Sequence, residues 1–251
     1  MRADGFPLLA FGLPTRRTVN VGLYRSAVAM AAQQRRLDSI SANLANVGTV
    51  GFKRGVTASH EVEVQRPRGR VRGVTTLARV DFAQGNLQRT GREHDLALYG
   101  DGFFAIESPD GEVYTRDGSF HMSEAGVLVT EHGFPVAWEE LDGAVDPVGM
   151  PLVVDEGGNA RQGNQNIGRL RVVAFPDMGV LSKDRLGFWT APPAVLPGAS
   201  DAHVHQYSLE DANANGMEEM VEMIGVQRSF EVVARVFEAI DNTYERLTRP
   251  F

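Results

Sequence analysis

The clearest pattern in the chain is an apolar stripe near its C-terminus. Met223, Val226, Phe230, Val233, Phe237, Ile240, Tyr244, Leu247 and Phe251 recur at alternating spacings of three and four, the signature of a heptad seam on one helix face. Asn215 stands just before it with Glu218 three residues on, which predicts an N-terminal cap with a reciprocal acidic partner. At about 1.5 Å per residue the helix runs roughly 50 Å. Its outer pairs, Glu231 with Arg235 and Glu245 with Arg249, each contribute only about 0.2 to 0.5 kcal/mol. The stripe must supply the stability.

A second seam runs through Leu23, Ala27, Met30, Gln34, Leu37, Ser41 and Leu44 and stops before Gly48 and Gly51. It predicts an N-terminal helix over 21–47. With Gln34 and Ser41 among its inward positions that helix buries too little to stand alone, so 215–251 is its expected partner. Between the seams, over roughly 160 residues, the pattern changes to short strands and turn chemistry. Phe103–Glu107, Val113–Thr115, Val127–Thr130, Leu152–Val154 and Leu170–Phe175 read as strands, punctuated by Ser108-Pro109-Asp110-Gly111, Arg116-Asp117-Gly118, Glu131-His132-Gly133 and Asp155 to Asn159.

The expected fold is mainly β with α: a discontinuous coiled-coil domain made by both terminal helices, enclosing an inserted antiparallel β domain. Residues 1–20 form an extension, disordered or upstream of the true start, with translation beginning at Val19 or Val21. The helix and its following motif take 21–52, an extended basic connector 53–92, the β domain 93–190, a Pro/Gly-rich connector 191–214 and the second helix 215–251. Two seams at opposite ends leave apolar surface uncovered in a single chain, and such surface predicts self-association.

Composition narrows the classes. With 43% apolar and 23% charged residues in 251, the chain suits a globular protein. Its best apolar run, Phe6 to Leu13, is broken by Pro7 and Gly12 and precedes rather than follows Arg16 and Arg17, so it is neither a span nor a secretory signal. The absence of cysteine removes disulfides, thiolate metal sites and cysteine nucleophiles. A net charge of −7 argues against nucleic-acid binding. That charge is uneven: 53–92 carries nine Lys or Arg against three acids, a local +6. Arg66, Arg68, Arg70 and Arg72 are expected to face acidic surface on a neighbouring copy, including Glu218, Glu219 and Glu222.

The stretch Ser39 to Lys53, with Asn43, Leu44, Ala45, Asn46, Gly51 and Phe52 at its heart, resembles the motif that ends the first helix in the flagellar basal-body rod and hook protein family. Gln84-Gly85-Asn86-Leu87, Asp95 to Phe104, Tyr114 to Phe120 and Gly126 to Thr130 are similar to that family's central domain, in the same order. Ser208-Leu209-Glu210, Asn213-Ala214-Asn215 and Glu219 to Glu231 are similar to its C-terminal segment. The chain departs from the pattern at Gly48, His94 and Asp211-Ala212. In length it resembles the proximal-rod type, while Gln227 to Glu231 also resembles the distal-rod type. The resemblance implies subunits of a helical tube, with terminal helices lining the channel and the β domain outside. It implies export by the flagellum-specific type III apparatus, and partners that are other rod subunits and further copies of the chain. Residence in the basal body and torque transmission without catalysis follow from the same likeness.

Competing chemistry is weak. Gly100-x-Gly102-x-x-Ala105 fits a dinucleotide fingerprint, but the following Phe103 to Glu107 reads as strand where that site needs a helix N-terminus. His203-x-His205 lacks a third ligand. No catalytic residues, cofactor, metal or small-molecule substrate are expected. The rival reading is an extracellular β-domain binding module that oligomerises through a coiled coil.

Overall fold

Phe103, Phe104, Ala105 and Ile106 are all fully buried on one strand, Phe103–Ser108. Alternate side chains leave a strand on opposite faces. Phe104 and Ile106 therefore join Leu96, Leu98, Phe120, Ile167 and Leu170 in one core, while Phe103 and Ala105 join Tyr114, Val173, Phe175 and Trp189 in another. A strand covered on both faces reads as an unbroken apolar run. The computed structural model describes residues 21–66 and 69–248 and is mainly β with two helices, α1 (Val21–Ala45) and α2 (Gly216–Thr248). Residues 1–20, Phe251 and the side chains of Leu23, Tyr244 and Leu247 lie outside what it describes.

The central strand lies inside a six-stranded antiparallel sheet ordered Ser182–Lys183, Trp189–Thr190, Gly111–Thr115, Phe103–Ser108, Val172–Ala174, Gly198–Ala199. The turn at Pro109-Asp110 closes its hairpin, with Ser108 opposite Gly111. A four-stranded sheet follows the order Leu152–Val154, Asn159–Gln162, Gln165–Leu170, Trp138–Leu141. The run Leu170–Phe175, expected as one strand, is split at Arg171. Leu170 ends a strand of the four-stranded sheet and Val172 begins one of the six-stranded sheet. The Arg171 backbone bonds Ala137 and Ala105 as the chain passes from one core to the other.

Both connectors are more ordered than expected. Gly55–Arg66 and Gly69–Val80 form a long antiparallel hairpin within 53–92, and Leu87–Arg89 pairs with Ser208–Glu210. Within 191–214, His203–Gln206 pairs with Leu96–Tyr99 and puts Val204 into the larger core. Tyr207 adopts a left-handed φ of 63° between these two pairings, so the returning chain changes partner at a single residue. Its carbonyl is anchored by the Thr90 and Gly91 amides at 2.8 and 3.2 Å.

The helices pack side by side. On α2, Met223, Val226, Phe230, Val233, Phe237 and Ile240 are buried or half-buried, and their neighbours Ile224, Gln227, Glu231 and Val232 are exposed. On α1 the covered column is Ser26, Met30, Gln33, Leu37, Ile40 and Leu44. Met30, Leu37 and Leu44 coincide with the expected seam, whereas Ala27, Gln34 and Ser41 are exposed. A three-four column through the shared positions can be completed on either side, and Ile40 buries far more apolar surface than Ser41. Asn215 caps α2, its side-chain oxygen accepting from the Met217 amide at 3.0 Å, but Glu218 stays exposed and Glu219 turns inward.

Candidate functional site

The motif after α1 is built to enter the β region. Gly51 has φ of 65°, and a Cβ there would sit 2.5 Å from the Arg116 carbonyl carbon and the Asp117 nitrogen. Only glycine admits both the left-handed backbone and so close an approach. The Gly51 amide donates to the Glu210 carbonyl at 2.7 Å, which brings the N-terminal motif, the Arg116-Asp117 turn and the C-terminal strand to one place.

Three buried charges meet there. The Lys53, Glu210 and Arg116 side chains are 1%, 0% and 2% exposed. One Glu210 carboxylate oxygen accepts from Lys53 Nζ at 2.7 Å and from the Gly85 amide at 2.8 Å, and the other accepts from Arg116 Nη1 at 3.2 Å. Lys53 also donates to the Ala83 carbonyl and Arg116 to the Gly100 carbonyl, at 2.9 and 2.7 Å. The Arg116 guanidinium lies 5.4 Å from the Phe103 ring centre. Gly85 is fixed by contact: a Cβ would fall 2.0 Å from the Asp211 carbonyl oxygen. Burial pulls both the Lys53 ammonium and the Arg116 guanidinium below their ordinary values, and the Glu210 charge offsets part of that fall. Such a cluster adds little net stability over apolar packing, but it is costly to break and specific in what it joins.

A second network fastens the helices beside it. Asn43 behaves as a strand partner for Gly55: its amide donates to the Gly55 carbonyl and its oxygen accepts from the Gly55 N–H, both at 2.8 Å. It also donates to buried Glu219 at 3.2 Å. Arg54 binds Glu219 through Nε and Glu222 through Nη2, and Arg36 holds Glu222 at 2.7 Å. Asn213 accepts from the Arg54 amide and donates to the Asp81 and Ala83 carbonyls. The expectation that Glu219 and Glu222 await a neighbouring copy is therefore corrected. They are held within the chain by α1 and by Arg54 of the basic segment itself. Arg68 and the side chains of Arg66, Arg70 and Arg72 lie outside the described residues.

Of the motif residues, Asn43 is buried among these bonds and Leu44 is half-buried in the helix pair. Ala45 is exposed, Asn46 closes α1 by donating to the Ala42 carbonyl at 2.8 Å, and Phe52 is buried beneath the Lys183 ammonium, 4.5 Å from its ring centre. Sequence reading missed the roles of Lys53, Arg116 and Glu210. Their only local signal was a charge directly behind an apolar or aromatic stretch in three separate motif segments, Phe52-Lys53, Tyr114-Thr115-Arg116 and Leu209-Glu210, each followed by a further charge, Arg54, Asp117 and Asp211, that masked it. The Gly100 to Ala105 stretch leads into a strand and not a helix, so it offers no dipole for a pyrophosphate. His203 and His205 flank buried Val204, with the His205 ring edge-on to Tyr99.

Fold and site together define a class of chain with two long terminal helices joined to each other and stapled by buried charges to a β region inserted between them. Three family profiles match along it: "Flagella basal body rod protein" at residues 23–53, "Flagellar hook protein FlgE/F/G D1 domain" at 97–162, and "Flagellar basal body rod FlgEFG protein C-terminal" at 205–249. The chain is 34% identical over 226 residues to the flagellar basal-body rod protein FlgF of Caulobacter vibrioides, covering 84% of this chain and 89% of that protein. It is 35% identical over 218 residues to FlgF of Mesorhizobium japonicum, covering 84% and 90%. Against the basal-body rod protein FlgG of Buchnera aphidicola from Schizaphis graminum the identity is 29% over 258 residues, covering 90% and 98%. The chain belongs to the flagellar basal-body rod protein family and is FlgF-like within it.

Proposed function

We propose that the chain is a structural subunit of the flagellar basal-body rod, at the proximal position, working by packing and not by catalysis. Its two terminal helices form a coiled-coil domain that polymerises into a helical tube and transmits torque, with the β region turned outward. Other rod subunits and copies of itself are its partners, and the flagellar type III apparatus exports it.

The observation that carries this reading is the joining of both chain ends. Lys53, Arg116 and Glu210 tie the base of the helix pair rigidly to the β region, so force applied to one is passed to the other. The pair nonetheless leaves apolar side chains uncovered, Met217, Val221 and Val232 among them. A closed binding module would bury such a face in a discrete oligomer, whereas a subunit joined through two unlike patches grows into an open helix. The test is deletion of the gene in its own organism. Loss of swimming and of complete rods, restored by the chain in trans, and recovery of the chain in purified basal bodies are expected. Normal rods without it would overturn the proposal.

A further inference from the structure

The chain carries 23 arginines and only two lysines. A guanidinium stays charged at any pH a cell reaches, so side-chain amine chemistry is confined to Lys53 and Lys183. Lys53 is withdrawn from it, because its side chain is 1% exposed and its ammonium is bound to Glu210 and to the Ala83 carbonyl. That leaves Lys183.

The local structure sets this second amine against aromatic rings. Asp184 closes a tight hairpin by accepting from the Leu186 and Phe188 amides at 2.9 and 2.8 Å, and Lys183 stands directly opposite Trp189 across it. Opposed residues share a face of the sheet, and on this face Trp189 is buried. The lysine stem therefore runs along apolar surface. The residue as a whole is exposed, while Nζ rests 4.5 Å from the Phe52 ring centre and 5.7 Å from that of Trp189. Among the described residues no hydrogen bond or ion pair holds it. Burial pulls the Lys183 ammonium below the ordinary lysine value, and the Asp184 charge offsets part of that fall. More of it is then the neutral, nucleophilic amine.

Beside it lies a cavity of about 80 Å³, lined by Phe52, Asp117, Glu131, His132 and Trp189 among others. It has room for several water-sized groups, and so for a short acyl chain. Its one further cation, Arg116, is committed to Glu210. Asp117 and Glu131 in the lining and Asp184 beside the lysine repel a donor that carries a phosphate next to its reacting carbonyl. A thioester has no charge there.

We infer that Lys183 is an acylation site that takes a short acyl group from a thioester. The neutral Nζ attacks the thioester carbonyl carbon, and a C–N bond forms as the C–S bond breaks. Sulfur leaves with the bonding pair, and the proton released by nitrogen ends on the thiolate. The resulting amide removes the charge above Phe52 and fills the cavity where the N-terminal motif meets the β region. This inference stands apart from the rod-subunit reading.

The test incubates the intact chain at about pH 8 with the acetyl thioester of N-acetylcysteamine, beside Nα-acetyl-lysine as the reference amine. Acetylation is followed at each lysine by peptide mass spectrometry. Lys183 is expected to react about threefold or more faster than the reference, with a rate that levels off at lower pH, while Lys53 stays unmodified until urea unfolds the chain. Lys183→Arg should abolish the product and leave the circular dichroism spectrum unchanged. An octanoyl thioester and acetyl phosphate should each lose rate relative to the reference amine. A Lys183 rate and pH profile equal to those of the free amine, or equal labelling of both lysines in the folded chain, would overturn the inference. Acetyl phosphate outpacing the thioester, each taken relative to the reference, would overturn the donor assignment.

Discussion

Among the described residues, Glu210 is the one carboxylate that faces two buried cations from two other parts of the chain. Glu210→Gln keeps its shape and removes its charge. Lys53 is left with the Ala83 carbonyl and Arg116 with the Gly100 carbonyl, so both keep one acceptor but lose their counter-ion. Breaking a buried pair from one side costs about 3 to 5 kcal/mol, and the surviving carbonyl bonds place this case near 3 kcal/mol. For a chain of this size that lowers the midpoint of thermal unfolding by roughly 6 to 12 °C. Urea unfolding followed by fluorescence of buried Trp189, alongside far-ultraviolet circular dichroism, measures it. Adding Lys53→Met removes one stranded cation, so the double variant should lose less than the sum of the singles, by about 1 to 3 kcal/mol. A loss below about 1 kcal/mol for Glu210→Gln, or strict additivity, would refute the view that this cluster joins the chain ends.

Three further outcomes are expected. Gly51→Ala forces a Cβ into the Arg116-Asp117 backbone at a left-handed φ and should cost about 2 kcal/mol or more, while Gly48→Ala, with open space around it, should change stability by under about 0.5 kcal/mol in the same urea titration. Asn43→Ala removes the acceptor of the Gly55 amide and one bond to Glu219, while the Gly55 carbonyl keeps the Ser39 hydroxyl, for about 1 to 2 kcal/mol and a faster exchange of the Gly55 amide hydrogen. The Lys53 ammonium titrates below the ordinary lysine value in the fold, chiefly through burial. The unfolded chain then holds more protons in the alkaline window between the two values, so the contribution of Lys53 rises with pH there. Measured against Lys53→Met, the parent should gain stability as pH climbs toward about 10, and a widening deficit would contradict the sign.

How far the sequence announced this depended on whether a signal was local. The α2 stripe was legible because Met223, Val226, Phe230, Val233, Phe237 and Ile240 are all apolar and covered, whereas the inward turn of Glu219 just before them had no local signal. The α1 column was legible only to within one residue, since Met30, Leu37 and Leu44 fit two columns and the choice of Ile40 over Ser41 is made by packing against α2. Phe103 to Ile106 announced a buried strand, but nothing local showed that it would divide its side chains between two cores. The hairpin at 55–80 and the pairing of Leu87–Arg89 with Ser208–Glu210 were hidden behind arginines, glycines and prolines that read as loose chain. The charge cluster was least legible. Lys53, Arg116 and Glu210 are far apart in sequence, and only the folded chain brings them into one buried site.

The central claim is mechanical: the two terminal helices converge, and we propose that assembly into the rod proceeds through the converged pair. Electron cryomicroscopy of basal bodies purified from cells bearing the chain tests it most directly. The account predicts α1 and α2 side by side next to the central channel, with the β region outward and the Lys53, Glu210, Arg116 cluster intact at the junction. Density with the two helices separated, or with the helix pair at the periphery and the β region at the channel, would contradict it.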